Sequence, residues 1–332
     1  MSDRKRNREN LQLIATLGPA SNTPDIWMSM RQAGAQQFRL NTSHLSVAQT
    51  MTWLEQLLPV IDRPLILDLQ GSKWRLGNLP PLNLEYGERI ELVFKESSNH
   101  ALEIPVPHID FFTAASVSGK EIVLNDARVV MEIESVQAES ISAHTVQGGP
   151  LASQKGITFR ETSFRKESLG QKDLEIIDLT KDMDSIRYAV SYIRDASELL
   201  KICQAFDRNN YIIAKLERQP ALDDAREIAR LCNELWVCRG DLGAELGLPA
   251  MTKTLYHFNH HIRDYSVPIM LAGQVFEHLT QHSTPTRSEC CYCYDAIQKG
   301  YKGVVLSDET AIGRDPVNSC HFAAMCLNGE MQ

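Results

Sequence analysis

Short, near-continuous apolar runs alternate with segments of helical periodicity along most of the chain. Eight runs read as strands, over residues 11–16, 36–40, 64–69, 186–192, 211–216, 234–238, 267–272 and 303–307. Unbroken apolar character is what parallel strands show when helices cover both faces of a sheet. Helical segments at 26–33, 47–58, 172–179, 197–206, 221–232 and 289–299 separate most of them. Eight such units predict an α/β fold, a (β/α)8 TIM barrel. The rhythm breaks once, between the third and fourth strands. There, period-two runs at 88–95, 121–124 and 129–133, with turn residues Asn125-Asp126, predict an inserted antiparallel β domain over 77–154. Gly148-Gly149-Pro150 reads as turn punctuation on its return path. The barrel is then discontinuous, 1–76 and 155–332, and its 254 residues match the usual barrel size of about 250.

Composition narrows the function classes. An apolar fraction of 43% supports a full core, and a net charge of −8 gives no basic field for nucleic acid. The first ten residues are charged and lack the apolar stretch of an export signal. Their basic cluster, Arg4-Lys5-Arg6 and Arg8, reads as a solvated start. No run approaches the roughly 18 apolar residues of a membrane span. Of the eight cysteines, Cys290, Cys291 and Cys293 crowd one helical stretch without the paired ligands of a zinc site. Reduced, buried thiols in a cytoplasmic protein are expected.

The chemistry concentrates where apolar runs end. Lys215-Leu216-Glu217 closes one run and Arg239-Gly240-Asp241 the next, leaving two acids 24 residues apart. On neighbouring parallel strands, such acids beside a Lys and an Arg suit Mg²⁺ and a phosphorylated anion. Arg39, Asn41, Ser43, Asp68, Ser307, Asp308 and Glu309 end other strands, on the face where barrel enzymes build their sites. Lys215 offers a point charge for a phosphoryl group or an enolate oxygen, and Arg39 a fork for phosphate. Gly240 and Gly243 let backbone approach a ligand near a helix start. Each residue alone also fits helix capping; their convergence is what points to a site.

These residues lie within stretches that resemble pyruvate kinase. They are IATLGPAS (14–21), FRLNTSHLS (38–46), LDLQGSKWRLG (67–77), KGITF (155–159), SYIR (191–194), AKLER (214–218), VCRGDLGAELG (237–247), PTRSE (285–289) and LSDETAIGRDPV (306–317). The resemblance implies a catalytic barrel carrying a small β-barrel lid, with phosphoenolpyruvate and ADP converted to pyruvate and ATP through a Mg²⁺-bound enolate. By the same resemblance, Glu217 and Asp241 hold Mg²⁺ or Mn²⁺. Lys215 assists transfer and, with Gly240, Asp241 and Gly273, meets the substrate. Arg39, Asn41, His44, Arg75 and Lys155 meet the nucleotide, and Asn41, Ser43 and Asp68 form the monovalent-cation site.

Three departures from the family pattern carry expectations. Lys73 stands where K⁺-dependent members have Glu; its ammonium can replace the ion, so chemistry without K⁺ is expected. Gly273 stands where the family has a Thr that supports enolate protonation. The family's C-terminal domain has no counterpart before the end of the chain, so its usual regulation is not expected; the assembly state stays open, a homo-oligomer included. Two alternatives remain beside the kinase reading. One is a Mg²⁺-dependent enzyme handing the same enolate to another acceptor, as an aldolase, a decarboxylase or a kinase of a specialised pathway. The other is a non-catalytic homologue.

Overall fold

The computed structural model describes residues 11–116, 120–125, 127–160 and 169–329. The basic cluster Arg4 to Arg8, and Asp126 of the expected turn, lie outside them. Contacts divide the chain into two compact units. One comprises residues up to Gln70, Gln171–Arg239 and the chain from Leu255; the other comprises Gly71–Gly170 and Gly240–Thr254.

The first unit is a closed parallel barrel of eight strands. In chain order these are β1 (Gln12–Leu17), β2 (Gln37–Asn41), β3 (Leu65–Leu69), β12 (Ile186–Val190), β13 (Tyr211–Leu216), β14 (Glu234–Cys238), β15 (Ile269–Ala272) and β16 (Gly303–Leu306). The intervening β4 to β11 belong to the second unit. All eight expected strands are present within two residues at either end, and β12 stops two residues early, at Val190. Beyond it Tyr192 turns left-handed at φ 63°, which no strand continues through. Ile14, Ile66, Ala189, Ile213, Trp236, Met270 and Val305 pack together as one cluster, so the barrel is a filled core and not a pore.

The second unit has a core of its own. Its strands are β4 (Leu82–Leu84), β5 (Arg89–Val93), β6 (Glu103–Pro105), β7 (Glu121–Leu124), β8 (Val129–Val136), β9 (Ser140–Gln147), β10 (Gly149–Leu151) and β11 (Ile157–Phe159). Trp74 meets Phe111 and Phe159 edge-on at 5.3 and 5.8 Å, and those two phenyl rings stack at 4.5 Å. Two expectations change here. Six of the strands form a sheet of order β11-β7-β8-β9-β5-β6, antiparallel as expected except that β5 runs parallel to β6. Gly149-Pro150 is also not a turn: it lies in β10, antiparallel to β4. A two-stranded ribbon leaves proline an edge position that needs no N–H.

Among the described residues no helix is long and apolar enough to cross a membrane. Among the described residues no disulfide joins the cysteines; Cys238, Cys293 and Cys320 are buried as expected, whereas Cys291 is exposed.

Candidate functional site

Parallel register brings the carboxyl ends of β2, β3, β12 and β13 to one end of the barrel, and polar side chains there interlock. Asp68 on β3 is 1% exposed. Its Oδ2 accepts from Arg39 Nε at 2.6 Å, and its Oδ1 from Ser191 Oγ at 2.8 Å and Lys215 Nζ at 3.1 Å. Lys215 also donates to Ser191 Oγ at 2.8 Å and lies 2.8 Å from Glu217 Oε1. Arg39 reaches Thr16 Oγ1 on β1 at 2.7 Å, and Thr16 passes its own proton to the Leu306 carbonyl at 2.6 Å.

Burial by itself would push the Asp68 carboxyl up. Arg39 and Lys215, with the Ser191 hydroxyl, outweigh it and hold the group below the ordinary carboxylate value. Burial opposes the charge on Lys215 as well, yet Asp68 and Glu217 raise its ammonium above the ordinary lysine value. Lys215 therefore stays a cation in a nearly dry place, a state desolvation alone would forbid. Removing one member of such a buried set typically costs about 3–5 kcal/mol.

Glu217 is held from a second side. The backbone N–H of Tyr192 donates to its Oε2 at 2.6 Å. The left-handed turn at Tyr192 is braced in turn by Arg218, which donates to the Tyr192 carbonyl at 2.8 Å and lies over its ring at 4.5 Å. A carboxylate oriented by surrounding hydrogen bonds is the usual preparation of a hard-cation ligand.

Other expected residues take different positions. Arg239 does not point toward an anion: its Nε and NH2 donate to the Gly273 carbonyl at 3.0 and 2.7 Å, and NH2 also to that of Gln274 at 2.7 Å. It pins the loop after β15 instead. Gly273 itself adopts φ 79°, a conformation a β-branched Thr resists. Glu309 is fully buried and accepts the N–H groups of Phe276 and Ser307 at 3.0 and 2.7 Å; burial raises its carboxyl. It ties two loops together. Asn41 uses its side-chain oxygen to cap the short helix Thr42–His44 through the Ser43 N–H at 3.2 Å. Ser43 is buried there and His44 exposed.

In the second unit Lys73 forms an ion pair with Asp241, three residues beyond the end of β14. A Cβ at Gly156 would lie 2.3 Å from Lys73 Cε, so a side chain there would displace the flexible end of the lysine. Arg75 donates from NH1 to the Gln154 carbonyl at 2.8 Å, and the neighbouring Lys155 carbonyl accepts the Leu76 N–H at 2.9 Å. Gly240 opens the helix Arg239–Leu246, and a Cβ there would meet no protein atom within 4 Å.

Sequence reasoning assigned no role to Thr16, Ser191 or Arg218, nor to Lys172, whose ammonium donates to the Thr42 carbonyl at 2.9 Å and to Gln70 Oε1 at 3.2 Å. The first three lie in stretches IATLGPAS, SYIR and AKLER that were already marked. Their hydroxyl and guanidinium contacts bridge strands remote in sequence, which spacing along the chain does not display.

A closed parallel barrel with a lysine held charged among carboxylates at its carboxyl end is the framework of an enzyme that handles anions. The family model described as "Pyruvate kinase, barrel domain" matches residues 8–320. Pyruvate kinase of Agrobacterium vitis is 31% identical over 326 residues, covering 95% of this chain and 67% of that protein. Pyruvate kinase of Thermococcus litoralis is 28% identical, covering 94% and 68%. The chain belongs to the pyruvate kinase family, and it is an enzyme of that phosphotransferase type.

Proposed function

We propose that the chain moves a phosphoryl group between phosphoenolpyruvate and ADP, through a pyruvate enolate, with a divalent ion and without K⁺. The observation that carries this reading is the buried Asp68–Ser191–Lys215–Glu217 cluster. Lys215 is a preset cation whose charge needs no rearrangement when negative charge develops on a phosphoryl or enolate oxygen. Arg39 adds planar donors suited to phosphate. The relatives' names support the same substrates.

Glu217 suits Mg²⁺ or Mn²⁺: its carboxylate is a hard oxygen donor already oriented by the Tyr192 N–H. Asp241 is the second ligand expected from the sequence. Such an ion, when bound, neutralises charge on substrate oxygens. Gly240 and Asp241 are assigned to the substrate carboxylate, and Asn41, His44, Arg75 and Lys155 to the nucleotide. Independence from K⁺ rests on Lys73, which brings a fixed positive charge to Asp241. Eight cysteines with no disulfide among the described residues suit the reducing cytoplasm. Gly273 favours one second reading, in which the enolate is passed to an acceptor other than a proton.

A coupled assay with phosphoenolpyruvate, ADP and Mg²⁺ tests the proposal. Turnover is expected, and Lys215→Met lowers it by about 10²–10³. A folded Lys215→Met protein that keeps the parental rate removes Lys215 from the chemistry. Adding K⁺ is expected to leave the rate unchanged; strong activation by K⁺ sinks the role given to Lys73.

A further inference from the structure

The opposite end of the barrel holds a cavity of about 840 Å³, lined by the amino ends of the strands. Its size lies in the range of small-molecule sites, about 300–1,000 Å³. Four cationic side chains line it, Arg63, Arg187, Arg263 and Lys302, against one acid, Glu234. That acid is already committed. It is 3% exposed, and its oxygens accept from Trp236 Nε1 at 2.5 Å and Tyr211 OH at 3.1 Å.

Arg187 faces the charge of Glu234, yet the cations keep several donors that meet no acceptor among the described residues. Arg187 gives NH1 to Gln37 Oε1 at 2.9 Å and lies over the Tyr211 ring at 4.1 Å, which fixes the guanidinium plane. Among the described residues its Nε and NH2 meet no protein acceptor, and neither Lys302 nor Arg63 makes a side-chain hydrogen bond. Arg263 donates to the carbonyls of Gln298 and Lys299 at 2.6 and 3.3 Å. Gathering like charges around one space is unfavourable. A stacked, unfilled guanidinium fork next to a lysine is the donor set that takes a phosphate or carboxylate.

The geometry points to a second anion site here: this mouth of the barrel binds a compact small-molecule dianion, a phosphoryl compound or a polycarboxylate. It lies at the end of the barrel away from the strand termini where barrel chemistry occurs, so its ligand is an effector and not a substrate. Arg187 supplies the fork, Lys302 and Arg63 the surrounding charge.

Calorimetric titration of the full chain with inorganic pyrophosphate and, separately, with citrate tests the assignment. At least one probe is expected to bind with a dissociation constant of about 1 mM or lower. Tighter pyrophosphate identifies a phosphoryl ligand, and tighter citrate a polycarboxylate; either supports the site. Arg187→Gln is expected to weaken that binding by about tenfold or more, since a charge-assisted contact is lost. Lys302→Gln, which changes a partly exposed side chain and leaves the backbone bonds of Lys302 to Ile269 and Gln12 in place, is expected to weaken it in the same direction and keeps the test open if Arg187→Gln fails to fold. Absence of binding by both probes, or isotherms unchanged in Lys302→Gln, overturns the proposal. Neither result depends on turnover, so the phosphotransferase reading stands or falls separately.

Discussion

Asp68 shows how one side chain can set the state of several others. Its carboxylate takes hydrogen bonds from Arg39, Ser191 and Lys215, so the positions of both cations follow from a single strand residue. Gly273 shows the reverse, a position defined by what it lacks. Gly273 itself offers no hydroxyl to the proposed enolate protonation, and its φ of 79° means that the family's threonine cannot simply be put back. Gly273→Thr is expected to destabilise the protein by about 1–2 kcal/mol, read as a lowered melting temperature. In the unmodified chain, solvent deuterium should enter the pyruvate methyl group more slowly than phosphoryl transfer proceeds, followed by NMR. Equal rates would show that another group delivers the proton and that Gly273 costs the reaction nothing.

At the scale of elements, the barrel was legible because parallel strands leave an unambiguous trace. Residues 211–216 and 234–238 are near-continuously apolar and almost wholly buried, as parallel strands covered on both faces require. The expected helix at 221–232 fared less well. It breaks into Gln219–Asp223 and Ala225–Ile228, because Asp224 leaves helical geometry between them. The helix Arg239–Leu246 gave no periodic signal, carrying two glycines and a weak apolar face. Strand-end chemistry was legible for the same reason as the strands: Lys215 and Glu217 had to follow a run whose end was clear. What the pattern could not show was orientation. Lys215 near the carboxyl end of β13 and Arg239 just after β14 both close apolar runs, yet one turns to Asp68 and the other to the Gly273 carbonyl. Only the packed neighbours decide between them.

For the molecule as a whole, acids of two kinds, lowered and raised, set the response to pH. Asp68 is held below its ordinary value of 3.8, and Asp195 falls to about 2, with burial opposing and the Ser197 and Arg194 hydrogen bonds prevailing. Their stabilisation is present above 3.8 and is lost as pH falls below it. Glu234 and Glu309 are raised above their ordinary 4.5 by burial, so they bind protons more readily when folded and their burden grows as pH rises through that region. Stability should therefore peak on the acid side of neutrality, between the two regimes. Scanning calorimetry from pH 7 to pH 3 measures it, with Glu234→Gln expected to melt higher at pH 7 and to flatten the neutral limb. A steady decline from pH 7 downward would mean that the glutamates carry no such burden.

The seam between β1 and β16 gives this barrel a schedule. Gln12 pairs with Gly303 so tightly that a Cβ on that glycine would lie 2.0 Å from the Gln12 carbonyl oxygen. Thr16 donates to the Leu306 carbonyl and receives Thr310, bonds that span 290 and 294 residues. Until those late residues leave the ribosome, β1 keeps a bare edge open to wrong partners. Thr16 also lacks half of the contacts that fix it under Arg39. A growing chain thus carries every charged side chain of the cluster long before it can hold them in place, and competence arrives in one late event, when the ring shuts.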